Sequence, residues 1–462
     1  WTAEYKGGAV GPVSGAGGPS GTLSIPSGGS AIFTVVGRTA AGASGDLVTT
    51  ASATVDGDVN PSNNSDTDSI RSIPRSVAVA NDIGPASTSL VRLVDAGTGA
   101  NIATAFAFEP GFKTGVKTAL ADIDADGKAE VLAVPRYGRV GEVVVFRQEV
   151  DAFGKVTLVK DPRLTLQPFG SSYRGGLNIT AGDFDGNGRE DFAVAKDSGD
   201  GAVRVYASTP ADSQPWSLLK AFTPAIAGTI AGVRLAAGDF GTFTAGATTD
   251  ASQADRKDEL VLASGPGIAP TIQILDLSAT VPAVVKTINP FTAAFRGGTS
   301  AVAARVTADG IADVIVAQGS GGTSQVQLFD GKVGASTATP LSSFAAYGEP
   351  GSRTAEVTVA PIDTDGDGRI DRIEAVQGVN AKAPLRTFAF DGTTSSWKKV
   401  GESTGVSGAL LASTSAASRP AAGLVTTASG LQYRDIFVGG GASPSSSTAT
   451  VKVNYQGRLL DG

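Results

Sequence analysis

The sequence contains no cysteine, no histidine and no methionine. The absence of Cys and His excludes thiol and imidazole nucleophiles, histidine general bases and every zinc site built from these ligands. A bound metal must therefore be held by oxygen atoms. The absence of Cys does not indicate a compartment, because exported bacterial proteins and cytosolic proteins both occur without disulfides.

Charged residues are also scarce, at 18% of the chain, and the net charge is -7. We expect no nucleic-acid partner, because phosphate binding needs clustered Lys and Arg. No apolar run approaches the ~18 residues that span a bilayer, so we expect no membrane span. The chain opens on Trp1 rather than Met, and we expect a fragment whose signal peptide lies upstream.

Glycine is abundant, with 61 residues, and Ser, Thr, Ala and Val are frequent, which predicts an all-β protein. The length of 462 residues predicts several domains. Segments 31–37 and 47–55 alternate apolar and polar residues, which predicts an incomplete β-sandwich over residues 1–72. Residues 50–69 resemble the closing strands of the immunoglobulin-like (Ig-like) repeat of bacterial surface proteins, where such domains serve as stalks.

An internal repeat follows, marked by acidic nine-residue loops. Loop 1 (122–130), loop 2 (183–191) and loop 5 (363–371) are the strongest copies; loop 4 (305–313) and loop 3 (239–259), which carries an insertion, are weaker. Their starts lie roughly 60 residues apart, near the size of a four-stranded propeller blade. Phe112, Tyr173 and Phe295 keep the same phase, and we interpret them as blade core rather than as a ligand platform.

The repeat predicts six blades over residues 75–414. Residues 75–112 contain three strand-like runs, and 408–414 can supply the missing fourth strand, so that both chain ends close one blade. These repeats resemble the FG-GAP and VCBS-type repeats of integrin-like propellers and of secreted bacterial proteins. The resemblance implies a secreted or surface-exposed protein that presents its loops to protein or glycan partners.

The loops have the composition of a site for calcium (Ca2+), which takes about six to eight oxygen ligands. The predicted ligands are Asp122, Asp124, Asp126, Glu130 and the carbonyl of Lys128 in loop 1; Asp183, Asp185, Asn187, Asp191 and the carbonyl of Arg189 in loop 2; and Asp363, Asp365, Asp367, Asp371 and the carbonyl of Arg369 in loop 5. In loop 4, Arg305 stands at the first position, and we expect its charge to replace the ion. Loop 3 stays undecided.

Two alternatives compete with this interpretation. Asp-rich and Gly-rich hairpins form without metal, because Asp side chains accept hydrogen bonds from nearby amides. Residues 363–374 also fit the EF-hand pattern, which would require a helix on each side. The flanking sequences favour strands, because 354–362 alternates and 376–384 is broken by Gly and Pro.

After a linker at 415–424, residues 425–462 resemble the start of an FKBP-type peptidyl-prolyl isomerase domain. The resemblance rests on SGLQY (429–433) and on VNYQGRLLDG (453–462), and it ends about one third into such a domain. It implies that Tyr455 lines the proline pocket and that X-Pro peptides are substrates of the parent protein. Asn454 stands where the family usually has His. We expect this chain to be inactive as an isomerase.

We therefore expect an extracellular or cell-surface calcium-binding propeller for adhesion or protein interaction, in a parent protein that carries isomerase activity. The alternative is a peptidyl-prolyl isomerase in which the propeller is an accessory scaffold. Hydrolysis by the propeller is disfavoured, because the sequence lacks a nucleophile and base constellation.

Overall fold

The structure is a computed structural model that forms two compact units, Trp1–Pro74 with Ala421–Gly462 as unit 1 and Arg75–Pro420 as unit 2. It describes residues 2–15, 20–26, 30–34, 45–53, 65–72, 76–81, 88–95, 101–124, 128–151, 155–209, 215–227, 232–241, 257–332, 339–348, 355–363, 369–378, 384–403, 409–413, 425–426, 432–433 and 453–458. Within these ranges no helix has the length and hydrophobicity that crossing a bilayer requires.

Unit 1 contains three small sheets. Strands are numbered in chain order: β1 (Thr2–Lys6) pairs with β2 (Ser30–Thr34), β3 (Gly45–Ala53) lies between β4 (Ser65–Ser72) and β31 (Val453–Arg458), and β29 (Val425–Thr426) pairs with β30 (Gln432–Tyr433). The Ig-like sandwich and the FKBP-like fold of these segments stay predictions.

Unit 2 is an all-β, six-bladed β-propeller, because it consists of six four-stranded antiparallel sheets of one repeated topology. Each blade is given from its first, inner strand outward. Blade 1 is β8 (Val116–Ala121), β9 (Glu130–Pro135), β10 (Val143–Val150) and β11 (Val156–Leu166); blade 2 is β12 (Leu177–Gly182), β13 (Asp191–Lys196), β14 (Val203–Ser208) and β15 (Trp216–Phe222). Blade 3 is β16 (Val233–Gly238), β17 (Glu259–Ser264), β18 (Ile272–Asp276) and β19 (Ala283–Ile288), and a short 3-10 helix, Ala225–Ala227, precedes it.

The remaining blades complete the ring. Blade 4 is β20 (Thr299–Ala304), β21 (Asp313–Gln318), β22 (Gln325–Phe329) and β23 (Ser342–Ala345); blade 5 is β24 (Val357–Ile362), β25 (Arg372–Gln377), β26 (Leu385–Asp391) and β27 (Ser396–Ser403). Blade 6 is β28 (Ala409–Ser413), β5 (Ser76–Asn81), β6 (Leu90–Asp95) and β7 (Asn101–Phe106). Each inner strand contacts the inner strands of both neighbouring blades, and β28 contacts β8, so the ring is closed.

The core lies between the blades. In β5, Val77 and Val79 pack toward blade 5, whereas Ala78 and Ala80 pack toward blade 1. This alternation follows from the period of two along a strand, and it requires apolar residues on both faces. Six buried clusters result, one at each interface between neighbouring blades. Six interfaces for six blades are the number that a closed ring requires, since an open array of six would have five.

Blade 6 joins the two ends of the propeller, as the sequence predicts. Strand β28 pairs antiparallel with β5, with Leu410 opposite Ala80. The EF-hand interpretation of loop 5 is wrong, because strands β24 and β25 flank this loop and pair with each other.

Removal of the closing strand β28 tests whether this strand closes the ring. Deleting residues 404–415 removes β28 and exposes the edge of β5. We therefore expect the whole propeller to be destabilised, and not blade 6 alone. We expect the melting temperature to fall by roughly 10 °C or more, on a scale where 1 kcal/mol corresponds to about 2–4 °C. Calorimetry measures this shift. Deleting residues 425–462 is the control and should leave the propeller transition in place; an unchanged transition in the first variant would contradict ring closure by β28.

Candidate metal centre

All five acidic loops begin and end at one end of the ring, because each connects the inner strand of its blade to the second strand. The loops are also linked to one another through the backbone. The backbone carbonyl of the first residue of each loop accepts a hydrogen bond from an N–H group in the loop of the next blade. The donor is the second-to-last residue of that loop, which is the eighth residue in the nine-residue loops. These bonds join Asp122 to Glu190 (3.1 Å), Asp183 to Asp258 (2.8 Å), Asp239 to Ala312 (2.8 Å) and Arg305 to Ile370 (2.7 Å).

The last residue of loops 1 to 4, which is the ninth residue in loops 1, 2 and 4, is an acid that holds the loop in place. Its carboxylate accepts a hydrogen bond from the N–H of the second loop residue. The bonds run from Ile123 to Glu130 (3.1 Å), from Phe184 to Asp191 (3.0 Å), from Phe240 to Glu259 (2.8 Å) and from Val306 to Asp313 (3.0 Å). Because loop 4 makes the same bond although Arg305 replaces the first Asp, this carboxylate has a structural role that does not depend on metal.

Loop 1 brings three predicted ligands together. Asp122, Asp124 and Glu130 each offer an oxygen within 4.8 Å of the others. The guanidinium of Arg147, on β10, contacts the Asp124 carboxylate and lies 3.1 Å from Asp161. The chain therefore supplies part of the positive charge that this loop requires.

Loop 2 brings together Asp183, Asp185 and Asp191, again with oxygens within 4.8 Å of one another. Burial, together with the charges of Asp185 and Asp183, raises the pKa of Asp191 to about 7. Arg147 follows Phe146, which pairs with the second residue of β9, and Ala207 follows Tyr206, which pairs with the second residue of β13. Ala207 is therefore the residue of blade 2 that corresponds to Arg147. Loop 2 therefore lacks the guanidinium that loop 1 has at this position.

The backbone of loop 2 folds around its first residue. One oxygen of Asp183 accepts hydrogen bonds from the N–H groups of Gly186 (2.8 Å) and Asn187 (3.1 Å), and the other accepts one from Gly188 (2.8 Å). Gly186 and Gly188 have φ angles of 79° and 90°, which favour glycine. The Asn187 side chain donates to Asp185 (2.9 Å) and accepts from the N–H of Arg189 (2.7 Å). Asn187 therefore lies beside the acidic cluster.

The structure differs from the sequence pattern in loop 5. Ile362 pairs with Arg372, whereas the corresponding Gly182 pairs with Asp191, so loop 5 has one extra residue before its second strand. Because of this insertion, Arg372 rather than Asp371 lies opposite the last residue of the inner strand, where blade 2 has Asp191. Asp363 and Asp371 are described, while Asp126, Asp365 and Asp367 lie outside the described residues. The roles of the Lys128, Arg189 and Arg369 carbonyls stay predictions; the Arg369 guanidinium donates to the Val306 carbonyl (2.9 Å).

A lysine side chain from elsewhere in blade 4 lies beside loop 4. Lys332 Nζ lies 3.4 Å from the Asp309 carboxylate, and the Asp313 carboxylate accepts hydrogen bonds from the N–H groups of Val306 and Thr307. The sequence pattern names Arg305 for this role and gives no hint of Lys332, because Lys332 follows the third strand of the blade.

Acidic residues at the eighth position are a feature that the sequence analysis misses. Glu190 accepts a hydrogen bond from the N–H of Asp122 (2.6 Å), and Asp258 accepts one from the N–H of Asp183 (2.8 Å). Both act on the loop of the preceding blade, so a comparison within one loop cannot find them. Loop 3 therefore contributes Asp258 to the support of loop 2.

The opposite end of the central channel carries a charged cluster. Glu356 lies 2.9 Å from Arg234 and 3.4 Å from Arg136, and Lys117 Nζ lies 2.8 Å from Asp197. The nearby cations, Arg234 first, lower the pKa of Glu356 against the effect of its burial, and burial lowers the pKa of Lys117. Glu356 of blade 5 thus connects blades 1 and 3 across the channel.

The predicted isomerase residue lies in unit 1. Tyr455 belongs to β31 and pairs through its backbone with Ala51 of β3. Its side chain is outside the described part of the chain.

A comparison with known protein families agrees with the repeat that the blades show. A family model described as an FG-GAP-like repeat matches residues 122–194, which contain loops 1 and 2. The chain is a β-propeller repeat protein. No curated protein matches it significantly in sequence.

Solved structures similar to this repeat protein share only low sequence identity. A protein from Lactobacillus plantarum is 16% identical, with 80% of this chain and 99% of that chain covered and a TM-score of 0.40. A functionally unknown protein from Desulfotomaculum acetoxidans is 15% identical, with 75% and 92% covered and a TM-score of 0.37. The Dos1 propeller is 11% identical, with 69% and 66% covered and a TM-score of 0.37. Such similarity does not bear on function.

The ninth carboxylate can be tested in loop 4. Asp313→Ala should lower the free energy of unfolding by about 2–4 kcal/mol, because the N–H groups of Val306, Thr307 and Gly331 lose their acceptor. Asp309→Ala, which removes a carboxylate nearer the surface, should cost less than about 1 kcal/mol. Urea denaturation measures both. Equal effects of the two substitutions would argue against the structural role of the ninth position.

Proposed function

We propose that the propeller is a protein-interaction scaffold of a secreted or cell-surface protein and that its acidic loops bind calcium. The observation that supports this proposal most directly is the convergence of Asp183, Asp185 and Asp191 within 4.8 Å in loop 2. Asp122, Asp124 and Glu130 converge in the same way in loop 1. Both clusters lie at the same end of a closed ring.

The electrostatics of loop 2 favour a cation. Asp183 and Asp191 are buried, and three carboxylates this close repel one another unless a positive charge lies between them. The donor set contains oxygen only, which suits calcium among the metals that proteins bind. The fit is good for Asp183, Asp185 and Asp191, and the bound ion would supply charge neutralisation that makes the loop rigid.

Loops 1 and 2 differ in the positive charge that the chain already provides. Arg147 contacts Asp124 in loop 1, and Ala207 takes its place in blade 2. Calcium binding to loop 1 must displace this guanidinium or tolerate it. We therefore expect loop 2 to bind calcium more tightly than loop 1, with loop 5 as the third site.

We include secretion or surface exposure in the proposal because of the calcium affinity that we expect for the loops. Exposed loops completed by solvent bind calcium weakly, with dissociation constants of about 10⁻⁴ to 10⁻³ M, as in extracellular modules. Such sites fill where calcium is millimolar. The partners that the propeller presents its loops to are proteins or glycans.

Isothermal titration with calcium tests the loops. We expect three sites in the unmodified chain and one fewer in Asp124→Ala or Asp185→Ala, because each substitution removes a ligand from one loop. Asp309→Ala in loop 4 is the matched control and should leave the stoichiometry unchanged. Calcium that neither produces heat nor shifts the melting temperature would refute the proposal.

The difference between loops has its own test. Arg147→Gln should tighten calcium binding to loop 1 by about 1.5- to 5-fold, which corresponds to the loss of an exposed ion pair. The affinity of loop 2 should stay the same, because Ala207 occupies this position in blade 2. Titration of the variant at fixed ionic strength distinguishes the sites. An unchanged affinity at loop 1 would show that Arg147 does not compete with the ion.

The second candidate function, proline isomerisation by the parent protein, is supported by the two FKBP-type motifs around Tyr433 and Tyr455. We propose that 425–462 contributes the first strands of that domain. A proline-peptide isomerisation assay should show no activity for the present chain and activity once the chain is extended through the parent's full domain. Activity in the present chain, or none in the longer one, would contradict the proposal.

A further inference from the structure

The connections that lead into the inner strands contain aromatic residues at the end of the ring opposite the acidic loops. Three connections carry a pair of rings in edge-to-face contact. Phe108 and Phe112 lie before blade 1, with centroids 5.1 Å apart; Phe169 and Tyr173 lie before blade 2, at 5.7 Å; and Phe291 and Phe295 lie before blade 4, at 6.1 Å. The connection before blade 5 carries Tyr347. Phe112 is in the core, as the sequence predicts, whereas Phe291 and Phe295 are only partly buried.

Cations of the chain cover most of these rings. Arg139 Cζ lies 4.2 Å from the centroid of Phe108, and Arg204 Cζ lies 5.3 Å from that of Phe169. Lys196 Nζ is 5.3 Å from both Phe169 and Tyr173. In blade 5, Arg386 Cζ lies 4.7 Å from the centroid of Tyr347. These distances are within the range of cation–π attraction.

The strand register shows which residues of blade 4 correspond to these cations. Arg204 pairs with Val194 of β13, Arg386 pairs with Ala375 of β25, and Gln327 pairs with Val316 of β21. Val194, Ala375 and Val316 all face the preceding blade. Gln327 therefore occupies in blade 4 the position of the two arginines.

A second position shows the same replacement. Lys196 pairs with the first residue of the inner strand of blade 2, and Gln318 pairs with the first residue of the inner strand of blade 4. Blade 4 thus has glutamine at both positions where blade 2 has a cation. Among the described residues, no guanidinium or ammonium group covers Phe291 or Phe295.

A cleft of about 870 Å³ lies at this place, and Phe291, Phe295, Gln318 and Gln327 line it. Its volume is typical of ligand pockets. Arg296 also lines the cleft, but it is exposed, and its guanidinium donates to the carbonyls of the Phe291–Phe295 connection. The equivalent Arg174 of blade 2 does not prevent Lys196 and Arg204 from covering their rings.

Two further features of the cleft favour a ligand. Gln327 lines the cleft, and its buried Oε1 accepts no hydrogen bond. Phe291 has a φ angle of 62°, a conformation that residues with side chains rarely adopt and that clusters at binding sites. If the Gln327 amide rotates toward the cleft, this oxygen can accept a hydrogen bond from an N–H donor placed over the rings.

We propose that this cleft binds the guanidinium group of an arginine side chain from a protein partner. The inference deepens the proposed role as an interaction scaffold and rests on it. Three of the four internal cations over these rings are arginines, and a planar guanidinium stacks on aromatic rings while donating N–H bonds to an acceptor such as Gln327. The partner's arginine would take the place that Arg204 and Arg386 fill in their own blades.

Binding of small probes tests the cleft directly. In isothermal titration, N-acetyl-arginine methylamide should bind to the full chain at least tenfold more tightly than the isosteric but neutral N-acetyl-citrulline methylamide. Phe295→Leu should weaken arginine binding, because it removes the ring but keeps an apolar side chain. Equal affinities for the two probes, or binding of a neutral disaccharide in their place, would overturn the proposal.

A gain of charge gives a test that does not depend on damaging the fold. Gln327→Arg should raise the melting temperature and weaken binding of the arginine probe at least tenfold, because the new guanidinium fills the cleft as Arg204 does in blade 2. Gln273→Arg is the matched control, because Gln273 has the same register in blade 3 and no aromatic residue occurs in the connection 223–232. Probe binding that survives Gln327→Arg would refute the assignment.

The titration is run in EDTA, which separates the two proposals. Arginine binding in EDTA, together with no calcium binding in a separate calcium titration, would remove the metal proposal and keep the cleft. Calcium binding with no affinity for the arginine probe would remove the cleft alone.

Discussion

Apolar packing on both faces of every blade is the constraint on which the rest of the structure depends. Because each sheet contacts a neighbour on either side, residues such as Leu132 and Val131 both have to be apolar although they point in opposite directions. Burial of this kind contributes about 25 cal/mol per Å² of apolar surface. It also fixes the positions of the loops, since each acidic loop begins where an inner strand ends and each inner strand contacts the inner strands of both neighbouring blades.

The architecture was predictable from the sequence because one blade is one repeat. The acidic loops mark the repeat, and the three strands of 75–112 with no first strand indicate where the ring closes. The one-residue insertion before Arg372 was not predictable, because loop 5 has the same acidic pattern as loop 1 and its register depends on pairing with β24. Sequence periodicity shows which face a residue takes, and it does not show which residue lies opposite.

The candidate metal site was predictable in part. Asp122, Asp124 and Glu130, and their counterparts in loop 2, are close together as their spacing in the loop suggests. Contacts between blades were not predictable in this way. Glu190, Asp258 and Arg147 act on residues that lie in another blade or another strand, and their partners follow from the ring rather than from a motif. The glutamines that replace cations in blade 4 become visible only when blades are compared at the same register.

Closure of blade 6 also determines how the propeller would respond to force. Strands β28 and β5 are antiparallel, with Ser413 opposite Val77, so the chain enters and leaves the propeller at the same end of this strand pair. Tension applied between these two points acts perpendicular to the strands and breaks the backbone hydrogen bonds of the ladder one after another, whereas a shearing load would stretch them all together. The strand pair that closes the ring is therefore loaded in its mechanically weaker direction.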